Sequence, residues 1–432
     1  MKPPLTVWTA PALGGKTRRC LAACLREGER PLLVLPSDLQ AHMARAILLA
    51  EGAAPETVER TVCSLHALAL QVASAAGEFH PVPSHLRRWL LQRAIQEVAQ
   101  GNALLERSVQ REGVLVLLSH WVREMTQEGV SPQHLAMLAP HSPEQDKIVV
   151  LARILERYRQ LLAAHGWQEE EEVYQLAARA LRESPSRAAL PRAVLVDGFV
   201  RFSRTQTEFL CALAEAGCRL TVTLCWEQER EVLFAGTTAT LRWLQQHFEV
   251  KREVIQQEPP PQVSPAVAFI ATNLFGSPRP SSAPQQGAPA VEVWEAPHLM
   301  AEAEMVAREI VRQHREGLAW GEMAVLSRDI ATVLPVLHSV FERFGIPVQH
   351  FERSTLGEHP LVRTLAALFH LHEEDYPRER VVQWLKSGYV PVDLLQADEV
   401  RALAMRRGVR AGSASWLQLA EQLEHEENQA GG

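Results

Sequence analysis

Aromatic residues and long apolar runs are both scarce in this sequence. Phe, Trp and Tyr together make up 6% of the 432 residues. No run of about 18 uncharged apolar residues occurs, which argues against a membrane-spanning helix. The opening residues MKPPLTVW lack the apolar stretch and small-residue cleavage site of a secretion signal. We therefore predict a cytoplasmic protein with no membrane partner.

Several metal and catalytic motifs are also missing. The six cysteines include no Cys-x-x-Cys pair, so we expect buried free thiols and no zinc site or iron–sulfur cluster. The sequence has no His-Glu-x-x-His and no Gly-x-Ser-x-Gly motif, which are typical of metalloproteases and serine hydrolases. The net charge of −7 gives no electrostatic support for nucleic-acid binding by the whole chain, so any DNA contact has to come from a local patch.

What the sequence does contain is a regular alternation of strand and helix patterns. Apolar runs at 5–9 and 31–35 are each followed by helical spacing of apolar residues, and a third candidate strand lies around 60–63. The pattern resumes with strands at 193–199 and 219–226. Such alternation predicts an α/β fold with a parallel sheet and helices on its faces.

The patterns also predict the domain organisation. Residues 81–184 have helical periodicity only, which indicates an all-helical insertion between 1–80 and 185–255. Residues 256–290 are rich in Pro, Ser and Gln and are predicted to be a linker with one short helix. A second α/β domain is predicted over 291–432, with strands at 291–296, 323–328 and 347–351.

The segment APALGGKT, from Ala10 to Thr17, matches the phosphate-loop pattern G-x-x-x-x-G-K-[ST] except at its first glycine. In such a loop Gly14 and Gly15 let the backbone approach the phosphates, Lys16 neutralises them and Thr17 ligates magnesium. The loop follows a predicted strand and opens a helix, where the helix N-terminus attracts an anion. We predict binding of ATP and Mg²⁺ here; the alternative is a plain strand-to-helix turn.

Two further residues are candidates for the same site. Asp197 ends an apolar strand, as in nucleotide motifs whose carboxylate holds magnesium through water; the alternative is a simple Asp-Gly turn. The next residue is Gly198, which cannot orient or deprotonate water as a glutamate would, so we do not expect efficient hydrolysis. Arg328 follows a predicted strand of the second domain and could bind a γ-phosphate; the alternative is an ordinary surface arginine.

Taken in order, these segments resemble one family, the AddB/RexB-type subunit of bacterial helicase–nuclease complexes, whose N-terminal half is similar to a superfamily 1 (UvrD-like) helicase. The resemblance is carried by TAPALGGKT, LLVLPSDLQ, TVCSLHALA and VLVDGFVRFSRTQTEFLCALAEAG in the first part of the chain. In the second part it is carried by the residues around EVWEAPHLM and FERFGIPVQHFERS. It extends over nearly the whole chain.

The resemblance implies a P-loop NTPase (RecA-like) motor domain 1A broken by helical 1B, then an incomplete second RecA-like domain 2A with a 2B-like helical segment. It implies DNA repair at double-strand breaks, with single- or double-stranded DNA ends and an AddA-type helicase–nuclease subunit as partners. Asp197 would be the catalytic position, and Thr17 and Asp197 would hold magnesium. Ser64 and His66 of TVCSLHALA would contact the DNA backbone.

The sequence also departs from the family pattern. Gly198 replaces the catalytic glutamate, and Ser327 stands where active motors carry an aromatic residue that stacks on adenine. Neither the closing arginine motif nor the C-terminal PD-(D/E)XK nuclease domain with its iron–sulfur cysteines is found, so a degenerate ATP site and no nuclease activity are expected. Three rival interpretations are an active ATP-driven translocase, a purely structural partner-binding scaffold and an unrelated P-loop kinase.

Overall fold

The computed structural model describes residues 2–26, 30–77, 79–100, 112–183, 190–228, 230, 232–255, 263–275, 291–350 and 356–430. The chain divides into two compact units, Met1–Glu292 and Val293–Gly432. None of the helices within the described ranges has the length and apolar character needed to cross a membrane.

The first unit is built on a parallel sheet of six strands in the order β3-β2-β4-β5-β1-β6. Strands buried on both faces are expected to be nearly continuously apolar, and the LLVL and AVLV segments of β2 and β4 are of this kind. The strands are β1 (Pro4–Ala10), β2 (Leu32–Leu35), β3 (Val62–Ser64), β4 (Ala193–Val196), β5 (Arg219–Cys225) and β6 (Glu249–Val254).

Helices follow most of these strands, and a run of helices separates β3 from β4. Outside the stretch between α4 and β4 they are α1 (Lys16–Leu25), α2 (Asp38–Ala50), α3 (Pro55–Thr61), α4 (Leu65–Ala76), α10 (Arg204–Glu215), α11 (Ala235–His247) and α12 (Pro265–Asn273). Between β3 and β4, following α4, they are α5 (Ser84–Ala99), α6 (Glu112–Gln127), α7 (Pro132–Leu138), α8 (Gln145–Ala164) and α9 (Val173–Glu183).

The side chains of the strands point alternately to the two faces of the sheet and pack in two hydrophobic cores, one on each face. On β2, Leu33 and Leu35 join the core formed with α1, α2 and α3, whereas Val34 joins the core formed with α4, α9 and α10. This is the two-residue side-chain period of a strand. Full burial of each Leu or Val stabilises the fold by roughly 1.5–3 kcal/mol. A shift of a strand by one residue would move these side chains to the opposite face, so burial on both faces fixes the positions of the strand ends.

The helices between β3 and β4 include a core of their own, which a buried charged cluster joins to the core of the sheet. Leu90, Ile154 and Leu155 belong to the insertion core. Glu169 accepts a hydrogen bond from Tyr158 and forms an ion pair with Arg87 at 2.7 Å. Tyr158 lies on α8 and Arg87 on α5, whereas Glu169 lies in the turn before α9, whose residues belong to the sheet core. These bonds therefore connect the two cores.

The second unit is helical in all the secondary structure that the described residues show. A small core around Ala307 and Val340 packs its first two helices together, and Ala404, Val409 and Leu419 form a smaller cluster. The helices are α13 (Leu299–Arg315), α14 (Ile330–Arg343), α15 (Pro360–Glu373), α16 (Arg378–Leu385), α17 (Leu394–Arg406) and α18 (Ser413–Ala430).

The strands predicted for this second part of the chain are not found among the described residues. The sequence predicts strands at 291–296, 323–328 and 347–350, but the structure describes no ladder for them; residue 351 lies outside the described residues. A strand needs a hydrogen-bonded neighbour, and an apolar run alone does not supply one. The α/β class is confirmed for the chain through the first unit, while the RecA-like form of the second domain stays a prediction.

In the first unit the five strands expected from the sequence are present, at bounds that differ by a few residues. The short helix expected inside the linker is α12, while 256–262 and 276–290 of that linker lie outside the described residues. Sequence analysis missed α11 and β6. Strand β6 lies at the edge of the sheet, and its sequence EVKREV is largely charged. Charged residues are common on edge strands, and a search for apolar runs does not separate such a strand from a loop.

Candidate nucleotide and DNA site

The phosphate-loop candidate forms the turn between β1 and α1. Gly15 has φ 76° as the residue that precedes α1, and Leu13 has φ 62° although it carries a side chain. Gly14 is buried, and a Cβ added to it would lie 2.7 Å from the Cβ of Ala10. Ala10 therefore packs directly against the loop at the position where the usual motif has glycine, and the loop is tighter than an all-glycine version would be.

The amine of Lys16 is held by the loop itself. Its Nζ donates to the carbonyl of Ala10 at 3.0 Å and to that of Pro11 at 2.7 Å. Lys16 is the first residue of α1, where the backbone N–H groups have no partner within the helix and favour an anion. A phosphate that binds here competes with these two carbonyls for the three N–H donors of the amine.

Asp197 links the two predicted motifs across the sheet. Thr17 Oγ1 donates to Asp197 Oδ2 at 2.6 Å, and the hydroxyl of Thr223 donates to Oδ1 of the same carboxylate. Strand β5 lies between β1 and β4 in the sheet, so Thr223 on β5 reaches the residue that follows β4. The buried Asp197 thus has both oxygens satisfied by hydroxyl groups.

The position after Asp197 cannot readily carry a catalytic glutamate. Gly198 has φ 84°, a conformation that disfavours residues with a side chain. A Cβ added there would lie 3.3 Å from Pro36 Cδ. The loss of the glutamate is therefore accompanied by a backbone that suits glycine.

The remaining predicted residues have different surroundings. Ser64 is buried, and its hydroxyl accepts from the N–H of Ala67 as the cap of α4. His66 lies in the first turn of α4, and its ring and that of Tyr174 form a T-shaped pair with centroids 6.2 Å apart. Arg328 is an exposed residue of the second unit, and its contact with a γ-phosphate stays a prediction.

His66 opens onto a polar cleft of about 460 Å³ in the first unit. Its arginines are paired with carboxylates, Arg123 with Glu171 at 2.7 Å and Arg201 with Glu128 at 2.8 Å. His66 Nε2 lies 3.7 Å from Glu170 Oε1. The other lining residues are Gln127, Tyr174, Ser203 and Gln206. Three carboxylates face two guanidinium groups, so the cleft offers hydrogen-bonding edges rather than a net positive field.

The cysteines and the potential metal ligands are arranged as separate groups. All six cysteines are free thiols; Cys63 and Cys225 are partly buried and the other four are buried. Burial raises the pKa of the Cys20 thiol, and the neighbouring Asp197 carboxylate raises it further, so Cys20 stays protonated. Within the described ranges, no group of three or more His, Cys, Asp or Glu side chains is placed to hold a metal.

Sequence analysis missed Thr223, the third member of the cluster around Asp197. A signal was present, because RLTVTLC puts threonine inside a strand expected to be buried on both faces. A buried hydroxyl requires a hydrogen-bond partner. The partner could not be identified without the strand order, because Asp197 and Thr223 are brought together only by the pairing of β4 with β5.

These features have the form of a P-loop-like α/β fold: a parallel sheet, a Gly-Lys-Thr turn between its first strand and helix, and an aspartate at the end of β4. Residues 10–270 match the family profile described as ADDB, N-terminal, and the chain belongs to this family.

Relatives of the chain are named as the B subunit of an ATP-dependent helicase/deoxyribonuclease. The protein of that name from Moorella thermoacetica is 29% identical over 92% of this chain and 37% of the relative. The corresponding proteins of Desulforudis audaxviator and Pelotomaculum thermopropionicum are 27% and 25% identical, over 36% of each relative. The chain thus spans little more than a third of the length of these relatives.

Proposed function

We propose that this chain acts in DNA repair as the helicase-like part of an AddAB-type helicase–nuclease, at double-strand-break ends and with an AddA-type partner. Its nucleotide site binds Mg-ATP weakly and does not hydrolyse it. The observation that supports this proposal most directly is the 2.6 Å hydrogen bond between Thr17 and Asp197. It joins the phosphate-loop candidate to the second nucleotide motif in a chain of the AddB family.

The residues present fit a nucleotide phosphate and a magnesium ion. Hydroxyl and carboxylate oxygens are ligands that Mg²⁺ accepts, and those of Thr17 and Asp197 already lie side by side. Lys16 would contact the β- and γ-phosphates, Gly14 and Gly15 would give the loop its backbone shape, and Arg328 is the proposed γ-phosphate contact. A bound magnesium ion would neutralise phosphate charge.

Two features of the loop account for the proposed weak binding. Two carbonyls of the loop already accept from the Lys16 amine and compete with a phosphate for it, and Ala10 packs against Gly14 at the position where the usual motif has its first glycine. The lack of hydrolysis follows from Gly198, since no carboxylate stands at that position to orient water.

The cleft that contains His66 is the proposed DNA contact. Arg201 is attractive for this role because its side chain is 76% exposed, so its ion pair with Glu128 can be exchanged for a phosphate at little cost. The amide groups of Gln127 and Gln206, with the Tyr174 ring, offer contacts to base edges. Ser64 is a poor phosphate ligand because its hydroxyl caps α4.

The DNA contact is tested by fluorescence anisotropy with a labelled single strand of DNA. We expect Arg201→Ala to weaken binding by about five- to tenfold, the value of one charge-assisted contact, and His66→Ala to weaken it by a smaller factor. Arg182→Ala is the matched control, because Arg182 is also a surface residue paired with a glutamate but does not line the cleft. Equal affinities of the Arg201 and Arg182 variants would contradict this placement.

A further inference from the structure

The outer face of α5 carries an exposed tryptophan among polar and basic side chains. Trp89 is 53% exposed, although tryptophan is usually buried over most of its surface. Gln92, Arg93 and Gln96 of the same helix are also exposed. They follow Trp89 at three- and four-residue spacing and therefore share one side of the helix with it. These four residues are called the α5 face below.

Two arginines share a single carboxylate at the α5 face. Arg93 Nε donates to Glu97 Oε1 at 2.9 Å, and Arg157 Nε of α8 donates to Glu97 Oε2. These hydrogen bonds lower the pKa of Glu97, so Glu97 is ionised at neutral pH. Each guanidinium has five N–H donors, and both arginines are partly exposed. Two guanidinium groups with one carboxylate leave an excess of positive charge that faces the solvent.

The ring of Trp89 lies next to this positive group. The guanidinium carbon of Arg93 is 5.7 Å from the centroid of the Trp89 ring, which is within the range of a cation–π contact. Aromatic rings and cationic side chains act together on single-stranded nucleic acid, because a base stacks on the ring while the cations attract the phosphates. The amide groups of Gln92 and Gln96 offer both donors and acceptors for the edges of bases.

The charge balance at α5 is the opposite of that in the His66 cleft. In the cleft three carboxylates face two guanidinium groups, whereas two guanidinium groups share one carboxylate at the α5 face. Glu97 is the single acidic residue in the sequence SHLRRWLLQRAIQEVA of α5. In a chain with a net charge of −7, a local basic patch of this kind is where a polyanion is attracted.

The second unit contains the same charge triad in different surroundings. Glu304 of α13 forms ion pairs with Arg308, four residues later, and with Arg343 of α14. Helix α13 also carries Glu302 and Glu309, and its sequence LMAEAEMVAREIVRQHR contains no Trp, Tyr or Phe. The charge triad is therefore not specific to α5. What distinguishes the α5 face is the exposed aromatic ring beside a triad whose helix carries no further carboxylate.

We propose that the α5 face, together with Arg157, binds a single-stranded segment of DNA. A base stacks on Trp89, and the guanidinium groups of Arg93 and Arg157 contact neighbouring phosphates. A single strand fits better than a duplex, because the bases of a duplex are stacked on each other and offer no free face to an aromatic ring. The inference rests on the proposed function for the choice of DNA as ligand, but it assigns the contact to residues outside the His66 cleft.

The test measures binding of the full chain to a labelled oligothymidylate of about 15 nucleotides by fluorescence anisotropy at several salt concentrations. We expect Trp89→Ala to weaken binding at least about fivefold, the lower limit for the loss of one stacked base, and Trp89→Phe to keep most of the affinity. Arg93→Ala is expected to weaken binding by about three- to tenfold. It should also reduce the slope of log affinity against log salt by about 0.7, the value of one phosphate contact.

Arg308→Ala is the matched control for Arg93→Ala. It removes the corresponding arginine of the triad in α13, which is also paired with a glutamate four residues earlier, and it should bind as the wild type does. The duplex of the oligothymidylate with its complement is expected to lose less affinity in Trp89→Ala than the single strand does. Circular dichroism checks that all the variants keep the helical content of the wild type.

Four results would overturn the inference. Trp89→Ala and Arg93→Ala that bind as the wild type does, while Arg201→Ala binds weakly, would assign the single strand to the His66 cleft and leave the proposed function standing. Equal losses in Arg93→Ala and Arg308→Ala would show an effect of overall charge. An oligoglutamate of equal charge that displaces the strand as well as unlabelled oligothymidylate does would assign the face to an acidic protein segment. A wild type that binds no single strand would contradict the proposed DNA contact of the chain as well.

Discussion

At the scale of single residues, the site depends on the carboxylate of Asp197. This side chain is 3% exposed, so its charge has to be stabilised by donors rather than by water. Thr17 and Thr223 are the donors, one from the phosphate-loop candidate and one from the intervening strand β5. The same two bonds orient the carboxylate toward the start of α1, where the proposed magnesium ion would bind.

The hydrogen bond from Thr223 gives a direct prediction for stability. Thr223→Val keeps the shape of the side chain but leaves Asp197 Oδ1 without a buried donor, which costs about 1–3 kcal/mol. We expect a loss of that size in the free energy of unfolding, measured by urea denaturation. Thr221→Val, two residues earlier on the same strand, is the control and is expected to change it by less than about 0.5 kcal/mol. Similar losses for both variants would show that the destabilisation does not come from the hydrogen bond between Thr223 and Asp197.

Lys16, Thr17 and Asp197 could be selected from the sequence because each belongs to a local pattern at the end of a strand. The contacts that these residues make were harder to predict from the sequence. The attachment of Lys16 to the carbonyls of Ala10 and Pro11 depends on the actual path of the loop, and the role of Thr223 depends on strand order. Local spacing specifies residue types, whereas tertiary pairing specifies which of them meet.

At the scale of elements, the charged turn before α9 joins the helices between β3 and β4 to the core of the sheet. Glu171 accepts from Arg123 of α6 at 2.7 Å, next to the bonds that Glu169 makes with α5 and α8. Burial raises the pKa of Glu172, and the carboxylates of Glu169 and Glu171 raise it further, while Arg159 opposes them. The ionised form of Glu172 therefore destabilises the folded state at this turn.

The sign of this effect predicts a pH dependence. A carboxyl whose pKa is raised on folding binds its proton more tightly in the folded chain, so the folded state loses stability as the pH rises from the ordinary value near 4.5. Glu172→Gln removes this charge. We expect its free energy of unfolding to exceed that of the wild type at pH 7, and the difference to shrink as the pH falls toward 4.5.

Thermal or urea unfolding between pH 4.5 and pH 7.5 measures this difference. Glu170→Gln is the control, because Glu170 lies in the same turn but is exposed, and its stability should follow the wild type across this range. A Glu172→Gln variant whose advantage grows as the pH falls would contradict the assigned sign.

The elements of the first unit were largely predictable because each short apolar run pairs with neighbours within the same sheet. Strands were also predicted at 291–296 and 323–328, where apolar residues recur, but the described residues show no ladder there. The difference is physical: strand formation needs a partner backbone, and Val293 and Leu326 lie open in the described structure. Periodicity reports the tendency to be extended, and it does not report whether a partner is present.

At the scale of the whole molecule, the chain combines a P-loop-like sheet with a loop that binds its own lysine. The chain belongs to the AddB family over its first unit. The proposal for a weak, non-hydrolysing ATP site rests on the contacts of Lys16, Asp197 and Gly198. An active translocase would need a catalytic carboxylate from elsewhere, and a pure scaffold would need no nucleotide at all.

Calorimetric titration of Mg-ATP into the purified chain, with turnover measured in the same samples with and without single-stranded DNA, tests this central claim most directly. We predict weak binding by the wild type, a loss of affinity of about tenfold or more in Lys16→Ala, and no turnover in either protein. Lys147→Ala, which removes an exposed lysine far from the loop in sequence, should bind as the wild type does. DNA-stimulated turnover that Lys16→Ala abolishes would contradict the proposed lack of hydrolysis and favour an active translocase. A wild type that binds no Mg-ATP would contradict the proposed nucleotide site and favour a scaffold.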